Sequence, residues 1–302
     1  MSEAGAAATV VEIPAPPRSR RPWFALLAGA WRQGRTKVGL FLFVSLIGIA
    51  LVGPYFAPYS PTEFVAPPFS TPSDFGWFGA DFLGRDVLSR FLWGGRSVLA
   101  LSILATLMGF VLGTAIGLVA AYSRGVLDDV LMRMMDVLLS FPQIVFALVL
   151  AATVGPKLWL LVLAVGITTM PRVARIARGA AVEVVERDFI RAAEAIGEPR
   201  RRILLGDVLP NITGPLVVEA SLRLSFNIAV VAGLSFLGFG IQPPSADWGL
   251  MINENKNGLT IQPWPVVLPV VAIGLLTIAT SLIGDGLSRS VSGIDRGGRG
   301  KE

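Results

Sequence analysis

Long runs of apolar residues are the feature that most constrains the fold of this chain. A helix needs roughly 20 residues to cross the hydrocarbon core of a bilayer. Six runs are candidate spans: Val38 to Ala57, Ser97 to Tyr122, Val137 to Val154, Leu158 to Met170, Leu216 to Phe239 and Val266 to Ile283. The fourth run ends at Pro171 and is short enough to suit a buried or re-entrant segment as well as a span. We therefore predict an all-α membrane protein with six transmembrane helices.

The composition agrees with a membrane protein and excludes much catalytic chemistry. Hydrophobic residues make up 53% of the chain and charged residues only 16%. The chain contains no Cys and no His, which excludes disulfides, thiolate nucleophiles, imidazole bases and nearly all zinc and haem sites. The spans also contain no paired carboxylates for acid–base work. We therefore expect no catalytic residues, no metal and no cofactor in this chain, and regard a membrane-embedded enzyme as a rejected alternative.

The distribution of basic residues predicts the orientation in the membrane. Lys and Arg accumulate in cytosolic segments, and with the N-terminus inside, most of the 26 basic residues fall on the cytosolic side. The exceptions are five in outer segments and one within a span: Arg85, Arg90, Arg96, Lys157, Lys256 and Arg223. This split supports six spans with both termini cytosolic. It also accounts for the net charge of +5 without a nucleic-acid partner.

The spans divide the chain into four parts. Residues 1–37 are rich in Ala, Pro and Arg and are predicted to be a largely disordered cytosolic tail; a signal peptide is the alternative, but no small-residue cleavage site follows the first apolar run. Residues 38–96 hold the first helix and an extracytoplasmic loop. Residues 97–288 form a five-helix core that includes a cytosolic segment, 172–215, and residues 289–302 are a second cytosolic tail.

The cytosolic segment carries its own helical signals. Asp188 is placed to cap a short helix that continues to Ile196, Gly197 is suited to the left-handed position that ends it, and Pro199 begins a new segment. Small residues at Ala192 and Ala193 would let this helix approach another subunit closely. An ordinary surface helix is an equally good interpretation of the periodicity alone.

This segment resembles the EAA loop of binding-protein-dependent ATP-binding cassette importer permeases. Residues 191–197 read R-A-A-E-A-I-G, and after nine residues 207–210 read D-V-L-P. The family pattern is E-A-A, three residues, G, nine residues, I-x-L-P, and the spacing matches throughout. Arg191 replaces the Glu of the pattern and Asp207 replaces the Ile, which alters the polar contacts of the loop and leaves its position unchanged.

Two outer segments resemble one branch of that family, the C-type subunits of dipeptide and oligopeptide permeases. Residues 78–90 read F-G-A-D-F-L-G-R-D-V-L-S-R, which matches the branch signature except for Ala80 in place of Thr. Residues 235–249 read S-F-L-G-F-G-I-Q-P-P-S-A-D-W-G and match its S-F-L-G-x-G-x-Q-P-P-x-x-x-W-G. The three motifs occur in the expected order over most of the chain after residue 37.

The resemblance implies a type I importer permease of the bacterial inner membrane. Its implied partners are a second, homologous permease, two cytosolic ATPase subunits that bind ATP and Mg²⁺, and an extracytoplasmic solute-binding protein. The sequence itself has no G-x-x-x-x-G-K-[ST] phosphate loop, so energy must come from such a partner. By resemblance, these residues carry the coupling to the ATPase: Arg191, Ala192, Ala193, Glu194, Gly197, Leu209 and Pro210.

The resemblance favours di- and oligopeptides as the transported solute. Relatives in this branch also carry nickel, glutathione and other small solutes, so these stay open as alternatives. An ATP-independent channel is the remaining transport alternative, and the EAA-like loop argues against it.

Two further patterns lie within the spans. Glycines at 109, 113 and 117 form overlapping G-x-x-x-G repeats that permit close helix contact, within this subunit or with the partner permease. Glu219, Arg223 and Asn227 recur every four residues and share one helix face. That face is a candidate lining for the solute path; an ion pair plus one helix–helix hydrogen bond is the alternative.

Overall fold

The computed structural model describes residue 31 and residues 33–297, with side chains described as far as residue 291. The N-terminal tail predicted for residues 1–37 and the C-terminal tail predicted for 289–302 therefore lie mostly or partly outside the described residues. Regular structure in the described part is helical apart from two isolated β-bridges in the outer loop. The predicted all-α class is confirmed.

Eleven α-helices occur in the described part of the chain. They are α1 Gly34–Val52, α2 Val87–Ser123, α3 Val126–Ser140, α4 Gln143–Val154, α5 Leu158–Val185, α6 Asp188–Ala195, α7 Arg200–Arg202, α8 Leu209–Asn211, α9 Thr213–Phe236, α10 Trp248–Asn255 and α11 Trp264–Gly297. Short 3₁₀ turns follow α1 and α10, and a π-helix, Ile203–Val208, joins α7 to α8. Five helices are long and apolar enough to cross a membrane: α1 with its 3₁₀ turn, α2, α5, α9 and α11.

The third predicted span is not one straight helix. The run Val137 to Val154 is divided between α3 and α4, which meet at an angle of 80°. Phe141, at the break, is extended, with ψ 125°, because the ring of Pro142 disfavours the helical conformation of the residue before it. The prediction of a single helix here was wrong.

Glycine contacts show that α2 and α5 run in parallel. A Cβ atom on Gly109 would lie 2.6 Å from the carbonyl oxygen of Gly166, and one on Gly117 would lie 2.5 Å from that of Ala174. The contact therefore moves along both helices in the same direction, and both run from the outer side inward. The chain must return to the outer side between them.

The bent pair α3 and α4 supplies this return crossing. Together the two helices are long and apolar enough for one span, broken by a bend of 80°. Six crossings with cytosolic ends on α1 and α11 result, as the sequence predicts.

The fourth span is longer than its apolar run. Met170 was expected to be its last residue, but α5 continues through the buried Pro171 to Val185. Neighbouring helices and adjusted backbone bonds make proline tolerable inside a membrane helix, and close packing against α2 holds both halves in line. At about 42 Å, α5 exceeds the hydrocarbon thickness, so its last turns extend into the cytosol.

Candidate coupling segment and translocation face

The short helix α6 lies just beyond the cytosolic end of α5. It begins at Asp188, and the preceding Arg187 is the N-cap, without a side-chain hydrogen bond to the helix. The expectation that Asp188 caps the helix was therefore wrong. Gly197 adopts φ +80°, and its N–H donates to the Glu194 carbonyl at 3.0 Å. The helix thus ends at a left-handed glycine, as expected.

One side of α6 is anchored to the membrane helices. Ile190 is fully buried within an apolar cluster that joins the inner ends of α2 and α5 to the cytosolic segment. The other buried members of this cluster are Leu118, Ala121, Ala177, Ala181, Val184, Val185, Ile203, Val208, Ile212 and Leu216. Phe189 of α6 and Ile196, its C-cap, are instead 44% and 78% exposed, so a face of α6 beside Ile190 presents apolar surface.

The π-helix after α7 explains how the cytosolic segment packs. Its wider turn, with i to i+5 hydrogen bonds, brings Ile203 and Val208 to the same side, and both are fully buried. Sequence reasoning missed this turn, since no composition signal distinguishes a π-helix from an α-helix. Ile203 and Val208 therefore pack the cytosolic segment against α5, in addition to Ile190.

The predicted coupling residues fall into two groups. Ala193 and Leu209 are partly buried and pack against the apolar cluster. The remaining five are exposed: Arg191, Ala192, Glu194, Gly197 and Pro210. The five exposed coupling residues and the exposed apolar residues Phe189 and Ile196 all lie within residues 189–210.

Charged contacts connect the neighbouring helices near α6. Arg178 of α5 donates two hydrogen bonds to the Asp128 carboxylate of α3, each 2.5 Å long. Arg200 lies over the ring of Tyr122 at the end of α2, 5.9 Å from its centroid. A cavity of about 650 Å³ lies beside this contact, lined by Tyr122, Ser123, Leu127, Glu194, Glu198 and Arg200.

The three polar residues of α9 share a face, but that face packs against other helices. Glu219 and Arg223 form an ion pair at 2.8 Å. Asn227 is fully buried; its amide donates to Thr106 of α2 at 2.9 Å and its carbonyl accepts from Thr169 of α5 at 3.1 Å. This geometry matches the alternative of an ion pair plus helix–helix hydrogen bonds. A role in the solute path stays a prediction.

Residues 113–293 match the family described as the binding-protein-dependent transport system inner membrane component. The chain belongs to this family. It is a multi-pass inner-membrane permease subunit of an ATP-binding cassette importer, as the motifs indicated.

Curated relatives of the permease match along nearly their whole length. The glutathione transport system permease protein GsiD of Pectobacterium atrosepticum is 37% identical over 271 residues, which cover 89% of this chain and 90% of the relative. GsiD of Escherichia coli O6:K15:H31 is 36% identical over 284 residues, which cover 93% and 94%. A solved structure of the MetNI methionine ABC transporter, in an inward-facing conformation, superposes with a TM-score of 0.51 at 20% identity, covering 66% of this chain and 97% of that one. It supports the type I permease fold.

A buried charge cluster at the outer side of the permease was missed from the sequence. Asp81 and Arg85 of the outer loop, Arg90 of α2 and Glu254 of α10 are almost completely buried together. Both guanidinium groups contact one oxygen of Glu254, at 2.9 and 2.8 Å, and Arg85 contacts Asp81 at 2.7 Å. Burial raises the pKa of Glu254, while the two arginines act in the opposite direction.

The outer charge cluster, as we name these four residues, joins the outer loop and α2 to α10. Two carboxylates balance two guanidinium groups, so the buried charges are paired, as burial requires. The i, i+4 and i+9 spacing of Asp81, Arg85 and Arg90 was visible in the motif. Glu254 was not identifiable, because it lies more than 160 residues further along the chain.

Proposed function

We propose that this permease pairs with a second, homologous permease and forms half of an import path for short peptides. Two cytosolic ATPase subunits bind ATP and Mg²⁺ and contact the pair, and an extracytoplasmic binding protein delivers the solute. The observation that supports this most is α6, which is anchored through Ile190 and presents Phe189 and Ile196 outward. Exposed apolar side chains on a fixed short helix are typical of a docking surface.

The way α6 is held supports a mechanical role. Ile190, Ile203 and Val208 join the cytosolic segment to the inner ends of α2 and α5 through a packed apolar core. Packed cores shift between discrete arrangements rather than deform continuously. A displacement of α6 by an ATPase subunit would therefore move α5 and α9 relative to their neighbours and change which side of the membrane the path opens to.

The solute class rests on similarity to relatives. GsiD proteins are named as glutathione permeases, and glutathione is a tripeptide with one unusual linkage. Short peptides and glutathione therefore share carboxylates, an amino group and amide bonds, and glutathione is the first solute to test. Transport of an unrelated small solute is the second candidate.

Replacing Gly197 by Val is expected to uncouple ATP hydrolysis from uptake. A β-branched residue at φ +80° is strained by about 1–2 kcal/mol. This strain lowers the population of chains in which α6 ends in the observed conformation by about tenfold. Uptake in proteoliposomes should fall by this factor while ATP hydrolysis by the assembled complex continues.

The matched control for this variant is Gly206→Val. Gly206 also has open space around its Cβ position but lacks the positive φ, so this variant should transport normally. Normal uptake by Gly197→Val would contradict a coupling role for the end of α6.

The assembly can be tested by purifying the tagged permease from its native membrane in mild detergent. Mass spectrometry should identify a second permease and ATPase subunits in the purified complex. Recovery of the chain alone, with solute flux in liposomes in the absence of ATP, would contradict the proposal.

A further inference from the structure

Arg172 lies in the part of α5 that crosses the hydrocarbon core. It follows Leu158, at the outer end of the helix, by 14 positions in the sequence, or about 21 Å along the axis. The hydrocarbon core is about 30 Å thick. An arginine at this depth is costly against lipid and normally faces protein, water or a polar ligand.

Arg172 differs from the two other arginines of α5 in its partners. Arg175 pairs with Asp136, and Arg178 pairs with Asp128. Arg172 is exposed, and no carboxylate of the described residues lies within ion-pair distance of it. Its guanidinium instead lies over the ring of Phe226 on α9, 5.6 Å from the centroid.

Arg172 and Arg175 lie about one turn apart on α5 and contact α9 and α3, respectively; we name this exposed surface the inner face. Phe226 of α9 is 45% exposed, and the Arg175–Asp136 pair between α5 and α3 is about half exposed. A charged pair and a free guanidinium on one surface point to contact with water rather than lipid. The inner face is therefore suited to line a water-filled path.

The position of the guanidinium also suits recognition of an anion. A guanidinium held over an aromatic ring by a cation–π contact still has N–H groups available for hydrogen bonds at its edge. This edge matches the two oxygens of a carboxylate, with which arginine forms paired, charge-assisted hydrogen bonds.

We propose that Arg172 binds a carboxylate of the transported peptide as it passes along the inner face. This assignment rests on the proposed function, a path for short peptides. It makes Arg172 a specificity residue for solutes with a free carboxylate. A carboxylate of the partner permease is the competing occupant, and it is an outcome of the test.

Uptake of one peptide with a free C-terminal carboxylate, and of the same peptide with a C-terminal amide, tests the assignment. Proteoliposomes receive binding protein already loaded with either peptide at saturating concentration, so that any difference arises after delivery. Arg172→Gln should slow uptake of the carboxylate peptide by about tenfold, the size of a charge-assisted hydrogen bond. The amide peptide should be little affected, and Arg172→Lys should be intermediate.

Cysteine accessibility supplies a second measurement, since the natural chain contains no Cys. Arg172→Cys should react with a charged, membrane-impermeant thiol reagent, and loaded binding protein plus ATP should slow the reaction. Ala174→Cys is the control, because Ala174 lies two positions away on α5 and is fully buried; it should stay unreactive.

Three results would overturn the assignment. Equal effects of Arg172→Gln on both peptides, or no effect on either, would exclude carboxylate recognition while leaving the peptide function intact. Loss of the partner permease from the purified Arg172→Gln complex would assign the residue to the subunit interface. Failure of the wild-type complex to take up either peptide would remove the peptide function itself and the assignment with it.

Discussion

Replacing Glu254 by Ala is expected to lower the free energy of unfolding of the permease by about 3–5 kcal/mol, the usual cost of removing one partner from a buried ion pair. Glu254 contacts both Arg85 and Arg90 in the outer charge cluster. Without it, two buried guanidinium groups would share only Asp81. The outer loop and α10 would separate, and uptake should be lost together with stability.

Thermal unfolding of the purified permease in detergent measures this effect. Glu63→Ala is the control, because Glu63 lies in the same outer loop but is exposed, with one hydrogen bond to the Ser60 N–H. Its unfolding temperature should be unchanged. Glu254→Gln should be intermediate, since the amide still accepts hydrogen bonds but carries no charge. Equal unfolding temperatures for Glu254→Ala and Glu63→Ala would show that the outer charge cluster does not hold the loop.

Replacing Gly113 by Val is expected to cost about 3 kcal/mol, at the upper end of the range for overpacking. A Cβ atom at this position would lie 2.5 Å from the carbonyl oxygen of Met170 and 2.7 Å from the Cβ of Val173. Both helices are long and held along their length, so neither can shift locally. The variant should insert in the membrane but unfold at a lower temperature and lose uptake.

The matched control is Gly48→Val in α1, where nothing lies within 4 Å of the Cβ position. Protease resistance in detergent compares the two variants directly. Gly113→Val should be cleaved faster than wild type and Gly48→Val at the wild-type rate. Equal resistance would contradict close packing of α2 on α5 through these glycines.

The sequence was sufficient to predict those parts of the fold that depend on the local pattern of residues. Apolar runs gave the number of crossings, and the distribution of arginines gave the orientation. The left-handed end of α6 at Gly197 was also predictable, since glycine after a short amphipathic helix is a common stop signal. The family was identified from three motifs and confirmed by relatives that match most of the chain.

Features that depend on tertiary context were not predictable. Two prolines show this: Pro142 separates α3 from α4, whereas Pro171 lies inside a continuous α5. Packing against α2 decides the second case. Asn227 was singled out from spacing, but its bonds to Thr106 and Thr169 depend on the approach of three helices.

This chain works as the permease of an ATP-driven, binding-protein-dependent importer. The most direct test is uptake of radiolabelled glutathione or dipeptide into proteoliposomes that contain the purified complex. We expect accumulation only when ATP is supplied on the cytosolic side and loaded binding protein on the other. Accumulation that needs neither, and that is unchanged by Gly197→Val, would contradict the account.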